Sequence, residues 1–327
     1  MKLASLKSNS CRDGRLIVVS RDLQRASFAD GIASTLLDAM ERWQQVHSEL
    51  NALYQALNQG DVESFAFDPR ACAAPLPRTY QWLDGSAFLS HSALMQTAFN
   101  LPAIEGIEQI PLMYQGAGDD FIGGYDPIPL PSEKHGIDFE GEVAVMVDHV
   151  PMGCSAEQAL SHIRLIVQLN DVSLRALAPR EMKTGFGFLQ AKPSTSFAPL
   201  AITPDELGEH WQQGRVALPL HVRWNNEWFG NPNGAAMHFG FHQLVAHAAL
   251  TRSLSAGTLV GSGTFSNPDR RVGSACISER RAIEMIASGG QPSTPFMAFG
   301  DRIQMDIRDE NGLSLFGGID QEVVRAC

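Results

Sequence analysis

Residues 138–147 read Asp-Phe-Glu-Gly-Glu-Val-Ala-Val-Met-Val, and no other run constrains the chain as strongly. Its apolar, β-branched tail predicts a buried strand. Side chains alternate across a strand, so Glu140 and Glu142 project from one face. Two like charges there repel each other and lose hydration, which is costly unless something positive sits between them. A hard divalent cation with oxygen ligands is the economical solution. The E-x-E spacing alone is weak, because many solvated strand faces carry it.

A second carboxylate signal is Asn170-Asp171-Val172-Ser173-Leu174-Arg175. It follows the apolar run 165–169, so Asp171 is expected at a strand end. There it either completes a metal site with Glu140 and Glu142 or caps the following turn, and spacing alone does not separate the two. Three carboxylates suit Mg²⁺, Mn²⁺ or Ca²⁺ better than zinc. A third signal, Asp84-Gly85-Ser86-Ala87-Phe88-Leu89-Ser90-His91, places a histidine in a largely uncharged segment. A lone histidine is more often structural than catalytic, and a carboxylate able to orient it would change that balance. Gly261-Ser262-Gly263-Thr264 superficially suggests a phosphate loop, but it lacks the Gly-Lys-Ser/Thr ending and a helix pattern after it.

The 327 residues are 44% hydrophobic and 19% charged, enough for a large core in a soluble globular chain. A formal net charge of -11, with no Lys/Arg run, argues against nucleic acid and anionic membrane surfaces. It leaves room for a small anionic substrate, since a few cations can dominate a pocket. No stretch reaches the roughly 18 apolar residues of a membrane span, and residues 1–7 lack the apolar core of a secretory signal. Cys11, Cys72, Cys154, Cys276 and Cys327 are scattered without zinc spacing. Each reads as a small buried hydrophobe in a reduced, cytoplasmic enzyme.

Residues 1–78 are expected to form a small N-terminal domain and 79–327 the larger one. In the first, 2–6 and 15–20 read as strands. Residues 35–57 have helical periodicity ended by Asn58-Gln59-Gly60, and Pro69, Pro75 and Pro77 mark a linker. In the second, strands are expected at 143–147, 163–169, 216–224, 258–260 and 303–307, and helices at 155–162, 241–254 and 89–99. Strands without regular βα alternation point to an α+β, mainly β architecture.

Taken together, Glu140-x-Glu142, Asn170-Asp171-x-Ser173-x-Arg175, Lys192, Gly263-Thr264 and Gly273-Ser274…Glu279 resemble the fumarylacetoacetate hydrolase family, over about residues 78–327 and more loosely before them. The resemblance implies a rolled, mixed β-sheet core behind a small N-terminal domain, and a homodimer. It implies a divalent cation, Mg²⁺ or Ca²⁺ with Mn²⁺ also possible, held by Glu140, Glu142, Asp171 and Asp84. His91 falls at the offset of the catalytic histidine, paired with Glu279. Arg175 and Lys192 match the family's catalytic arginine and lysine. Tyr114, Thr264 and Ser86 fall on the substrate side.

The implied activity is metal-dependent hydrolysis of a carbon–carbon bond in a diketo acid, fumarylacetoacetate or an acylpyruvate, in the catabolism of tyrosine or other aromatic compounds. Ser86 stands where the eukaryotic type has tyrosine, and Ala178 where it has glutamine. The spacing from Lys192 to Pro199 is one shorter, and the segment into Glu279 is longer. These departures fall on the substrate wall. Two other readings compete: a 2-oxo acid decarboxylase or isomerase of the same family, and a non-catalytic metal- or carboxylate-binding protein. Residue by residue, plainer roles are open as well. Arg175 could be a carboxylate's ion-pair partner, Lys192 a solvated loop lysine, Tyr114 a packing residue and Glu279-Arg280-Arg281 a surface patch. His135 and Asp138 could support the site or a lid.

Overall fold

The structure, a computed structural model, describes residues 1–326. A large mixed sheet organises it, in the order 65–66, 25–28, 15–19, 2–6, 196–202, 163–170, 141–147, 259–261, 82–85 and 113–116, with 122–123 beside 196–202. A second, five-stranded sheet runs 227–230, 220–224, 302–307, 319–325 and 128–130. The α+β, mainly β class and the mixed sheets follow the expectation. Lys2 and Leu3 pair with Ile202 and Ala201, so the leading strands extend the main sheet.

The Gly141–Val147 strand alternates between two cores. Val143, Val145 and Val147 join the second sheet's Leu220, Val222, Ile303 and Met305. Ala144 and Met146 join the N-terminal helices through Leu36, Leu50 and Leu57. Burying a large apolar side chain contributes about 1.5–3 kcal/mol, so cover on both faces holds this strand firmly. Gly141 lets the second sheet pack close between the glutamates, since a Cβ there would lie 2.5 Å from Cδ2 of Leu220 and force that side chain to move.

Three element boundaries depart from expectation. The 35–57 helix is two helices, Leu36–Glu41 and Trp43–Gln59. Arg42 breaks it: its guanidinium turns back to Asp38 at 2.7 and 2.8 Å, and its carbonyl accepts from Gln45 and Val46. The second helix buries Trp43, Val46, Leu50, Tyr54 and Leu57 along one stripe and ends at Gly60 in the left-handed region, φ 85°. The 216–224 strand shortens to Leu220–Trp224, because Pro219 has no N–H for the ladder. The 241–254 helix stops at Ala248.

Cys72, Cys154 and Cys276 are buried as expected, whereas Cys11 is only half-buried; no disulfide occurs among the described residues. Burial pushes the Cys72 thiol up to about 12. Cys327 lies outside the described residues. Among the described residues no helix is long and apolar enough to cross a membrane.

Candidate active site

Sheet register brings the distant acids together. Ala144, two residues beyond Glu142, pairs with Gly261; Gly261 pairs with Asp84, and Asp84 with Tyr114. Gly261 keeps this row open, since a Cβ there would sit 2.4 Å from Oδ1 of Asp84. Asp171 enters from the turn after the Ile163–Asn170 strand. Carboxylate oxygens of Asp84, Glu142 and Asp171 lie within 4.8 Å of one another, and all three residues are buried.

Glu140 is held apart from this triplet. Arg175 Nη2 bonds its Oε1, Ser173 Oγ donates to that oxygen at 3.2 Å, and Lys192 Nζ meets Oε2 at 3.3 Å. Arg175 is fixed in turn by Asp138, its Nε 2.8 Å from Oδ2. Asp138 also accepts the Ile277 and Ser278 N–H groups at 2.7 and 2.9 Å. Arg175 is thus an ion-pair partner of two carboxylates.

Asp171 accepts from Tyr114 Oη at 2.6 Å, Lys192 Nζ at 2.5 Å and Thr195 Oγ1 at 2.8 Å. All three donors are side chains reaching into the site, so its carboxylate is no turn cap. The solvated-loop alternative for Lys192 also falls: its side chain is 10% exposed and bonded to two acids. Tyr114 does more than pack, although Phe188 stacks edge-on against its ring at 5.1 Å.

The charges are unbalanced. Burial outweighed by Lys192 and Arg175 holds Glu140 well below the usual carboxylate range. Burial, then repulsion from Asp171, pushes Asp84 far above it, and burial, then repulsion from Asp84 and Asp171, does the same to Glu142. Neither oxygen of Glu142 has a hydrogen-bond partner among the described residues. Asp84 receives the Gly263 N–H at 3.1 Å. A buried carboxylate with both oxygens unmet, inside a triplet of hard oxygen donors, fits a divalent cation.

The second half of the site comes from helices. His91 lies in the Leu89–Phe99 helix and Glu279 in the first turn of the Ile277–Ser288 helix. A nitrogen of His91, the sulfur of Cys276 and an oxygen of Glu279 lie within 4.8 Å of one another. Glu279 is 1% exposed, which overturns the surface-patch alternative. Its Oε1 accepts from Ser266 Oγ at 2.5 Å and Arg270 Nη1 at 3.1 Å. Glu279 Oε2 and His91 Nδ1 have no partner among the described residues. Burial, partly opposed by Glu279, lowers the His91 pKa. The two halves meet where Glu140 pairs through its backbone with Cys276.

On the substrate side, Thr264 Oγ1 is buried without a partner among the described residues. Ser86 is half-buried, its Oγ 3.4 Å from Ser92 Oγ. His135 joins no cluster described here, its Nδ1 also without a partner among the described residues. Sequence reasoning missed Thr195, Ser266, Arg270 and Cys276. Thr195 and Ser266 had a usable signal, lying three residues after Lys192 and two after Thr264.

Paired acids at a sheet end, backed by buried cations, with a histidine and a glutamate converging nearby, define a buried, charged site. The chain belongs to the fumarylacetoacetate hydrolase family. Residues 81–324 match the fumarylacetoacetate (FAA) hydrolase C-terminal domain and 1–78 the fumarylacetoacetase N-terminal domain 2. It is 28% identical over 168 residues to the 2,4-didehydro-3-deoxy-L-rhamnonate hydrolase of Sphingomonas sp. (strain SKA58), covering 50% of this chain and 55% of that one. It is 26% identical over 157 residues to the mitochondrial oxaloacetate tautomerase of Xenopus laevis, covering 47% of each. The chain thus spans about half the length of these curated relatives. The fold matches the maleylpyruvate hydrolase of Sphingobium sp. SYK-6 in complex with manganese (II) ion and pyruvate, at a TM-score of 0.66, 16% identity and full coverage of both chains. The relatives it matches thus include a hydrolase and a tautomerase.

Proposed function

We propose that this protein is a divalent-metal-dependent hydrolase that cleaves a carbon–carbon bond of a diketo acid, an acylpyruvate or fumarylacetoacetate. The observation that carries the reading is the convergence of His91 and Glu279, joined through the Glu140–Cys276 backbone bridge to the strand that carries Glu142 of the Asp84–Glu142–Asp171 triplet. Mg²⁺, Mn²⁺ or Ca²⁺ would be held by that triplet, with Glu140 alongside. When bound, the cation supplies Lewis acidity that polarises a carbonyl and favours the enolate form of the leaving group.

The chain's own residues supply the rest. His91, kept neutral by burial, removes a proton from water, and Glu279 stabilises the resulting imidazolium. The water oxygen bonds to the ketone carbon, and the bond to the methylene carbon breaks with its electron pair leaving as an enolate. Protonation of the enolate completes a carboxylic acid and an oxo acid, a 2-oxo acid from an acylpyruvate and a 3-oxo acid from fumarylacetoacetate. Lys192, on a flexible stem, is the cation suited to meet the substrate carboxylate. Arg175, committed to Asp138 and Glu140, acts by positioning. Tyr114, Thr264 and Ser86 line the substrate side. An assembly of two copies and a cytoplasmic setting belong to the same reading.

The test is turnover of acylpyruvates and fumarylacetoacetate with and without Mg²⁺ or Mn²⁺. Metal-dependent release of a 2-oxo acid from an acylpyruvate, or of a 3-oxo acid from fumarylacetoacetate, is expected, and no cleavage of any diketo acid would sink the reading. A second reading, tautomerisation or decarboxylation of a 2-oxo acid, draws support from the similarity to the oxaloacetate tautomerase. Undiminished turnover by His91→Ala would favour it.

A further inference from the structure

His91, Cys276 and Glu279 form a second convergent set of donors, distinct in chemistry from the carboxylate triplet. Cys276 and Glu279 are almost fully buried. Cys276 also accepts the Glu279 N–H at 3.4 Å, tying thiol to carboxylate. Oε1 of Glu279 is taken by Ser266 and Arg270. Its Oε2 and His91 Nδ1 are buried without a partner among the described residues, so two donors of this set are unspent.

The triplet offers only hard oxygens, whereas this set offers an imidazole nitrogen, a sulfur and one oxygen. Such a mixture selects a softer ion than Mg²⁺ or Ca²⁺ and suits tetrahedral zinc. We propose that His91, Cys276 and Glu279 form a zinc site separate from the carboxylate site, and that zinc held there inhibits the enzyme by occupying its water-activating pair. The inhibitory half rests on the reading of His91 as the base; the binding half does not.

Zinc bond lengths of about 2.0–2.3 Å set tetrahedral ligand atoms about 3.5 Å apart, so a side-chain adjustment of about 1 Å closes the tripod. On binding, the Cys276 S–H bond breaks, its proton leaves to solvent and a Zn–S bond forms. The imidazole binds through a neutral nitrogen lone pair, and water completes the fourth position. Arg270 opposes a cation here. Arg175 opposes it as well, while burial first, then Asp138, Glu279 and Glu140, hold the Cys276 thiol well above its ordinary range, so the metal itself must drive the loss of the proton.

The experiment uses untagged full-length protein saturated with Mg²⁺, titrated with Zn²⁺ against a chromophoric chelator and separately with Co²⁺. The expected result is one zinc equivalent bound, and a thiolate-to-cobalt charge-transfer band. Cys276→Ser should lose the band and weaken zinc at least about tenfold, with its own zinc-free, Mg²⁺-dependent turnover serving as the reference for inhibition. Cys276→Ala serves if the serine variant does not fold. Equal zinc affinity in wild type and variant, or no band, overturns the site. Zinc inhibition of wild type but not of the variant supports both halves. A band without inhibition sustains the zinc site and overturns the inhibition, along with the water-activating role of the pair.

Discussion

The two halves of the site are built on different scaffolds. Asp84, Glu142 and Asp171 stand on or just beyond strands of one sheet, in a register set by backbone pairing and packed on both faces. His91 and Glu279 stand on two helices whose approach depends on side chains, Ser90 Oγ to Ser266 Oγ at 2.8 Å and Ser266 to Glu279. The strand half carries surplus negative charge and calls for a cation. The helix half is nearly neutral and calls for a proton. Rigid geometry suits a ligand set that must hold like charges close, whereas a base needs only one neighbour and some freedom to move.

Changes in the strand half should therefore act through metal, and changes in the helix half through rate alone. The largest effect is expected from Glu142→Gln. Turnover should fall at least about a hundredfold. Metal affinity should fall with it, and the apo fold should survive because burial and the neighbouring acids already favour the neutral form of Glu142, which the amide mimics. Metal-dependent thermal shift reads this directly, since a ligand at 100 times its Kd adds about 2.7 kcal/mol. Intact activity at low metal would remove Glu142 from the site. Next, His91→Ala should lower turnover by about 10²–10⁴ while leaving the metal-induced thermal shift unchanged. A lost shift would mean that the halves are not separable.

The contrast also explains what could be read from sequence. The strand half was legible because periodicity two is local: Glu140 and Glu142 declare a shared face within three residues. Asp171 followed from the end of an apolar run. Asp84 and the His91–Glu279 pair came only through the family resemblance, since Asp84 lies 58 residues from Glu142, and His91 188 from Glu279, separations that no local period encodes. Glu279 hid within a charged triplet whose helix went unrecognised. The Ser196–Ile202 strand, central in the sheet, was masked by Pro199. The structure accommodates that proline where the ladder to Ile163–Asn170 shifts register, between the Ala201 and Phe197 pairings. Arg175 and Lys192 were legible as residues but not as partners, because burial decides whether a cation serves a substrate or a neighbouring acid.

Smaller effects sharpen the comparison. Lys192→Met removes the cation between Glu140 and Asp171 and leaves both buried. Apo stability should fall by about 3–5 kcal/mol, and added Mg²⁺ should restore more of it than in wild type. Chemical denaturation with and without metal checks this; equal metal response would show that Lys192 does not stand in for a cation. In the helix half, burial lowers the His91 pKa. An imidazole with a depressed pKa stays neutral as pH falls through its ordinary value of about 6.5. kcat/KM should therefore hold down to that pH and decline only below it. A limb at or above 6.5 would mean that Glu279 outweighs burial.

The smallest expected effect isolates geometry from charge. Gly141→Ala changes no titrating group, yet its Cβ would meet Cδ2 of Leu220 at 2.5 Å and Sδ of Met305 at 3.3 Å. Leu220 belongs to the second sheet, so the contact can be relieved only by a rotamer change or by parting the sheets. Overpacking of this kind costs about 1–3 kcal/mol. If the strand half owes its metal affinity to register, the variant should bind Mg²⁺ more weakly in step with its lost stability. The absorbance of a cobalt-loaded His91–Cys276–Glu279 set should change less, because the helices do not carry that contact. Unchanged Mg²⁺ affinity in a destabilised variant would show that the acids hold the cation by charge, with sheet packing serving only the fold.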